Sequence, residues 1–341
     1  HRDLHLSIRR QRQMCIRDRP YHILLDRMEE EAKGVKALGT TGKGVGPAYV
    51  DKPARLGMRV RELLNKEYLL QRLKELLDLK NRVITRVYGG PPINLDELYN
   101  TCLEWGSMLE QYLTSTEYLL HDALSSGKTI LLEGAQGTML DMDHGTYPYV
   151  TSSSPSVGGS YTGSGMSPRA VVSVAGVFKA YSTRVGGGPM PSELDNSTGE
   201  EIRGKAHEFG TTTGRARRVG WFDAVAGKYS RMVNGFTGMV LTRLDILDGF
   251  SSVKICVGYE VDGNTIDRFP SNTGLLERCT PIWEEHPGWD QPTASATEIT
   301  QLPENALKYV RRIEELVGCP VQIISTGPSR AETVLVESVI P

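Results

Sequence analysis

The stretch Glu208 to Trp221, EFGTTTGRARRVGW, concentrates the residue types that hold small anions. Threonine hydroxyls donate and accept, guanidiniums grip carboxylate or phosphate through paired N–H groups, and glycines let backbone approach a ligand. Thr211, Thr212 and Thr213 supply hydroxyls, Gly214 supplies conformational freedom, and Arg215 and Arg217 flank Ala216 as cationic forks. If this loop bends inward, Arg215, Arg217 and Arg218 repel one another, so the run predicts either an anionic ligand or paired carboxylates. A solvated basic loop with scattered salt bridges is the plainer alternative.

Other glycine-rich connections carry related chemistry. Leu38 to Tyr49, LGTTGKGVGPAY, can turn Thr40, Thr41 and Lys43 toward an oxyanion, or form only a tight turn. Its spacing does not meet GxxxxGK[ST], and Pro47 follows too soon for a Walker loop. Glu133 to Ser154 follows an expected strand over 129–132; there Gln136 can make paired amide contacts and Thr151 can offer a hydroxyl to phosphate. Asp141, Asp143 and His144 invite a metal reading, but a turn held by carboxylate hydrogen bonds accounts for them as well, and no metal ligand is assigned.

Ser182 to Glu193, STRVGGGPMPSE, reads as a ligand wall or a rigidly ended loop, with Arg184 facing either phosphate or a carboxylate of the chain. In TRLD, Asp245 at a strand end could accept from both the ring N–H and the amino group of guanine, a pattern adenine lacks, or else cap the next turn. Ser325, Thr326 and Gly327, from STGP, follow another expected strand as a base wall or a plain strand end.

Leucine periodicity predicts a helix over 62–80, and spacing of three or four from Leu98 to Leu120 predicts a long helix over 96–125. A serine cap followed by proline predicts another from Ser167 through Ala180, and Pro303 with Gly318 bounds one over 304–317. Apolar runs at 129–132, 239–242, 253–257, 321–324 and 334–336 predict strands. Helices interleaved with short buried strands imply an α/β fold with a mainly parallel central sheet flanked by helices. No linker, low-complexity tract or repeat divides the chain.

A chain of 341 residues, 39% hydrophobic, can bury a substantial core, and 39 basic against 41 acidic residues leave no overall basic balance that advertises nucleic acid. Five scattered cysteines fit neither a zinc knuckle nor a disulfide scaffold and point to a reducing, cytoplasmic setting; no apolar span suits a membrane. The basic opening at 1–19 reads as extraneous or unstructured sequence, leaving 20–341 as the domain.

KALGTTGKGVGPAYVDK, LLEGAQGTMLDMDHGTYPYVTSS, TRVGGGPMPSE, FGTTTGRARRVGWFD, TRLDILDG and IISTGPSRAET, in this order from about Pro20 to the C-terminus, resemble the adenylosuccinate synthetase family. The resemblance implies a fold like that of P-loop-containing nucleoside triphosphate hydrolases, and the substrates IMP, GTP and L-aspartate with Mg2+ assisting. It implies adenylosuccinate, GDP and phosphate as products, formed through 6-phosphoryl-IMP in AMP biosynthesis. By the same resemblance Thr41, Gln136 and Thr151 contact IMP, and Arg55 reaches IMP across a homodimer interface. Thr211 to Arg217 close over aspartate, with Arg215 also touching nucleotide and Arg217 reaching GTP; Arg243, Leu244, Asp245 and Ser325 to Gly327 recognise guanine. Arg243 stands where the family usually has lysine, and Ala216 where it is often basic. The family's N-terminal phosphate loop, with its metal contact, and the catalytic histidine after it are not found in these residues, so turnover by this chain is expected to be impaired and catalytic residues stay unassigned. A noncatalytic purine-nucleotide-binding regulator and a nucleic-acid-binding module are the alternatives.

Overall fold

The computed structural model describes residues 19–209, 214 and 216–338. The described chain divides into two compact units, and it passes between them several times over 135–168.

One unit, residues up to Ala135 with 151–153 and 159–167, is helical in its described part. Helix α1 (Pro20–Lys33) starts on proline, whose fixed φ suits a first helical turn, and ends at Gly34 with φ 53°. A glycine-rich loop leads to α2 (Val45–Asp51). Helix α3 (Lys66–Arg82) is capped by the Asn65 side chain, which accepts from the Tyr68 N–H at 3.0 Å, and carries Lys80 and Arg82 in its last turn. Asn94 caps α4 (Leu95–Leu109) in the same way. Then come α5 (Thr116–Ser125) and most of α6 (Val157–Ser164). Five of the seven leucines read as an amphipathic stripe form the core, Leu63, Leu69, Leu73, Leu76 and Leu77 being buried with Tyr21, Met58, Leu98 and Cys102, while Leu64 is exposed and Leu70 only partly covered.

The other unit holds the sheets. In chain order it contains β1 (Ala175–Lys179), β2 (Ser182–Arg184), α7 (Ser197–Ala206), β3 (Arg218–Gly220), β4 (Phe222–Asp223), α8 (Ala224–Asn234) and β5 (Gly238–Thr242). After these come β6 (Ser252–Val261), β7 (Asn264–Ile266), α9 (Thr273–Leu276), β8 (Thr280–Pro287), α10 (Glu304–Val317), β9 (Val321–Ser325) and β10 (Thr333–Leu335). One four-stranded sheet runs β1-β5-β9-β10: the first three strands are parallel, Gly176 opposing Met239 and Leu241 opposing Ile324, while β10 is antiparallel at the edge. Strand β6 pairs in parallel with β4 and antiparallel with β7 and β8, and β2 pairs antiparallel with β3. The architecture is therefore mixed α/β, with the parallel order among the described strands confined to β1, β5 and β9 and to the β4–β6 pairing.

Three expectations change. No strand forms over 129–132: Leu131 is 87% exposed, and no described strand pairs with that run. The helix expected from Ser167 through Ala180 gives way to a 3-10 turn at Pro168–Ala170 and then β1. Val171, Val172, Val174 and Val177 are β-branched, and ladder bonds to β5 satisfy a backbone that propensity alone leaves undecided. The long helix over 96–125 is split into α4 and α5 by a 3-10 turn at Glu110–Tyr112 and the short extended run that follows it.

Candidate functional site

In the sheet-bearing unit the carboxyl ends of β1, β5 and β9 lie along one edge, because the three strands are parallel, with one register shift between β5 and β9 at Met239–Val240. Lys179 and Ser325 close β1 and β9, the segments Arg243–Asp245 and Thr326–Gly327 follow β5 and β9, and in open α/β sheets this edge is where ligands bind. Ala180 N–H donates to the Thr242 carbonyl at 2.8 Å, and the Thr242 hydroxyl to the Phe178 carbonyl at 2.9 Å, which ties the first two ends together.

Asp245 and Asp248 divide the roles that TRLDILDG left open. Asp248 accepts from Trp289 Nε1 at 2.6 Å, from the Thr293 N–H at 2.7 Å and from the Thr293 hydroxyl at 2.9 Å, so it is the structural carboxylate. Asp245 is half-buried and has no side-chain partner among the described residues. Burial raises its pKa, Asp248 and Glu332 raise it further, and Arg243 opposes them. Arg243 adopts φ 64° and donates through Nη1 to the Ala206 carbonyl at 2.9 Å. The Leu244 side chain is in the core, which leaves only its backbone for a ligand. Thr326 is also fully buried, its hydroxyl donating to the Ala296 carbonyl at 3.0 Å, while Ser325 Oγ donates to the Gly327 carbonyl at 3.0 Å. A side chain at Gly327 would put its Cβ 2.5 Å from the Glu332 carboxyl carbon, so the turn brings backbone to the edge without bulk.

Thr211, Thr212, Thr213 and Arg215 lie outside the described residues; Gly214, at φ 64°, and Ala216 are exposed. The ends of this loop are joined at a bridge between Phe209 and Ala216, and the Arg217 N–H donates to the Glu208 carbonyl at 2.8 Å. Glu208 is fully buried and accepts from Lys179 Nζ, Tyr181 Oη and Arg217 Nη1, each at 2.6 Å. Burial disfavours its charge, yet these donors outweigh that and hold its carboxyl below the usual range. Burial in turn pushes the Lys179 ammonium down, Glu208 opposes, and Arg217 and Arg243 add to the fall. Lys179 and Glu208 were not singled out by sequence reasoning; the signal was a lysine closing an apolar strand and an acid opening an arginine-rich run.

The two described arginines of the run, Arg217 and Arg218, therefore meet carboxylates of the chain. Arg218 forks onto Glu193, Nε to Oε1 at 2.7 Å with Nη2 on Oε2, and donates through Nη1 to the Gly188 carbonyl at 2.6 Å. Arg184 chooses neither expected partner: it donates to the Gly187 and Tyr149 carbonyls and to the Thr146 hydroxyl at 2.7–3.0 Å. Burial, then Arg218, pushes its guanidinium down to about 10. Gln136, in the same unit, is exposed with φ 70°. Nearby Asp141 is buried and accepts from the N–H groups of Asp143, His144 and Ser156 at 3.0–3.2 Å, which is the hydrogen-bonded turn weighed against a metal site.

In the helical unit Thr41 and Lys43 are exposed, whereas Thr40 turns its hydroxyl inward to Asp26 at 2.9 Å. Arg55 is exposed at φ 59°, its carbonyl accepting from Arg72 Nη2 at 2.8 Å. The Thr151 and Ser153 hydroxyls are 3.2 Å apart. His22 is buried in α1, with Nε2 2.8 Å from the Asp51 carboxylate. Among the described residues no helix is long and apolar enough to cross a membrane, and no group of three His, Cys, Asp or Glu side chains could hold a metal.

An α/β fold with polar turns gathered at the carboxyl edge of parallel strands defines a nucleotide-handling class of protein. A profile described as adenylosuccinate synthetase matches residues 3–334. Adenylosuccinate synthetase of Dehalococcoides mccartyi is 54% identical over 315 residues, 92% of this chain and 74% of the relative. That of Limosilactobacillus fermentum is 49% identical over 316 residues, 93% and 74% of the two chains. A structure of fully ligated adenylosuccinate synthetase from Plasmodium falciparum, 34% identical, superposes with a TM-score of 0.88 over 92% of this chain and 74% of that one. The chain belongs to the adenylosuccinate synthetase family, ligases of AMP biosynthesis.

Proposed function

We propose that the protein joins IMP and L-aspartate at the expense of GTP, giving adenylosuccinate, GDP and phosphate. The O6 oxygen of IMP leaves poorly until phosphorylated. GTP transfers its γ-phosphoryl group to O6, and the aspartate amine then adds at C6 and expels that oxygen with the phosphate. Positioned donors lower both barriers by holding the partners in line and countering charge as it develops.

In this reading Thr41, Gln136 and Thr151 hold IMP, and Arg55 reaches it from the second chain of a homodimer. Thr211 to Thr213, Gly214, Arg215, Ala216 and Arg217 surround L-aspartate, with Arg217 extending to GTP. Asp245 accepts from the guanine edge beside Arg243, the Leu244 backbone and the turn Ser325–Gly327. The observation that carries the guanine assignment is the half-buried Asp245 carboxylate without a side-chain partner among the described residues, at the edge where parallel strands end. We place the fold in the class of P-loop-containing nucleoside triphosphate hydrolases, which the parallel order β1-β5-β9 supports. Mg2+ belongs to the proposed chemistry as the partner of GTP phosphates; the described residues offer no set of ligands for it, and no step is routed through it.

The test is formation of adenylosuccinate by the purified chain with IMP, GTP and L-aspartate, followed by absorbance and chromatography. Product that requires all three substrates is expected, at the impaired rate that the sequence implies for this chain. Binding of GTP and IMP without product would favor a noncatalytic nucleotide-binding role, and salt-sensitive binding to nucleic acid that free GTP does not displace would overturn the reading.

A further inference from the structure

The loop from Leu38 to Gly44 shows Thr41 and Lys43 to solvent, but two carboxylates of α1 shape it from inside. Asp26 and Glu30 stand four residues apart, on one face of the helix. Glu30 Oε2 accepts from the N–H groups of Gly39 at 2.8 Å and Thr40 at 3.2 Å, while Oε1 accepts from the Leu38 N–H at 3.4 Å. Asp26 takes the other end, with the Thr40 hydroxyl at 2.9 Å and the Gly44 N–H at 2.8 Å.

Successive N–H groups turned to one side form a concavity that elsewhere captures a free anion. Here the chain's own carboxylate fills it, so the inner face of the loop is not a phosphate site and the outward residues remain for one. Burial opposes ionisation of Glu30, but Lys33 and the loop N–H groups hold its carboxyl below the usual range, so the filling group is charged at neutral pH. The far end is equally fixed: Gly44 has φ 75°, and a Cβ there would lie 2.8 Å from the His22 backbone. Asp51, the last residue of α2, is in turn held by His22 and Lys80.

We propose that Asp26 and Glu30 are positioning residues that impose the loop conformation from which Thr41 meets the phosphate of IMP, and so set IMP affinity. The inference rests on Thr41 being that contact. Thr40→Val deletes one inward hydroxyl and leaves both carboxylates, Glu30→Ala deletes the filling group, and Thr40→Ser and Glu30→Gln restore an acceptor or donor. Calorimetric titration of the whole chain should show Thr40→Val and Glu30→Ala weakening IMP roughly tenfold, the loss of one or two hydrogen bonds, with GTP affinity unchanged. The conservative variants should bind IMP within about threefold of the parent, since most of the geometry returns. Amide exchange at Leu38, Gly39, Thr40 and Gly44 should quicken in the damaging variants.

Faster exchange with unaltered IMP affinity would overturn the positioning role while leaving the functional reading intact. Equal loss of GTP and IMP affinity would mark a general loss of structure and overturn it too. Thr41→Ala binding IMP as the parent does would remove the premise, and with it both this inference and the assignment of Thr41.

Discussion

Two aspartates three residues apart show how neighbouring identical side chains acquire different work. Asp248 is saturated by Trp289 and Thr293, whereas Asp245 has no side-chain partner among the described residues. Asp245→Asn should therefore fold normally but lose one of two acceptors facing a guanine edge. The expected result is a fall in kcat/KM for GTP of roughly 10- to 100-fold, because a donor amide then opposes a donor base edge. Measuring GTP and ATP side by side checks it, and an equal fall for both would remove base selection from Asp245. The sequence places TRLD and STGP after expected strands, and the structure puts both segments at the ends of parallel strands β5 and β9. Which member of a group faces outward was not legible: Thr40 and Thr41 are identical letters, and only the Asp26 carboxylate behind the loop separates their roles. The sequence likewise leaves Arg184 and Arg218 open between an anionic ligand and a carboxylate of the chain: Arg218 takes the carboxylate, Glu193, and Arg184 takes neither, donating to loop carbonyls and the Thr146 hydroxyl.

At the scale of elements, buried carboxylates at two junctions should respond to pH in opposite directions. Glu208 joins β1, the segment after it and the base of the arginine loop through Lys179, Tyr181 and Arg217. Its folded pKa lies below the ordinary 4.5, so its contribution is present above that value and is lost as pH falls through the folded value. Glu208→Gln should lower the melting temperature at pH 7, by the equivalent of about 2–4 kcal/mol for a buried charge network left unbalanced, with the deficit shrinking in acid. Asp223 caps α8, accepting from the Ala226 N–H at 3.0 Å and from the Tyr259 hydroxyl at 2.8 Å, but burial pushes its pKa from 3.8 up to about 6. The folded state then holds the proton that the unfolded chain has released, so this group costs stability as pH rises from about 4 to 6. Asp223→Asn keeps a capping oxygen and should melt higher than the parent at pH 7.5, with the advantage vanishing near pH 4; a constant difference across that range would remove Asp223 as its source. Helices such as α10 were readable because proline and glycine bound them and a single apolar face runs through them. The strand β1 was misread as helix because its outcome depends on β5, more than sixty residues away, and the apolar run over 129–132 stays unpaired for want of a described neighbour.

For the whole molecule, each compact unit has its own core, one of helix leucines and one centered on the sheets, and the proposed ligand contacts are distributed over both. Thr41, Arg55 and Thr151 belong to the first, and Gln136, Arg217, Asp245 and Ser325–Gly327 to the second. If Arg55 serves the site of a second chain, a site needs Asp245 from one copy and Arg55 from the other. Chains carrying Arg55→Ala and chains carrying Asp245→Asn would each assemble only damaged sites. Mixed after dissociation, about half the dimers are heterodimers with one intact site in two, so activity should recover to about a quarter of the parent level. Service by Arg55 within its own chain predicts no recovery, because every site then retains one of the two substitutions. Adenylosuccinate formation in the mixture, with the dimer fraction followed by sedimentation, separates the outcomes: dimers without recovery would place Arg55 in its own chain's site, and monomers with full parental activity would remove the shared site altogether.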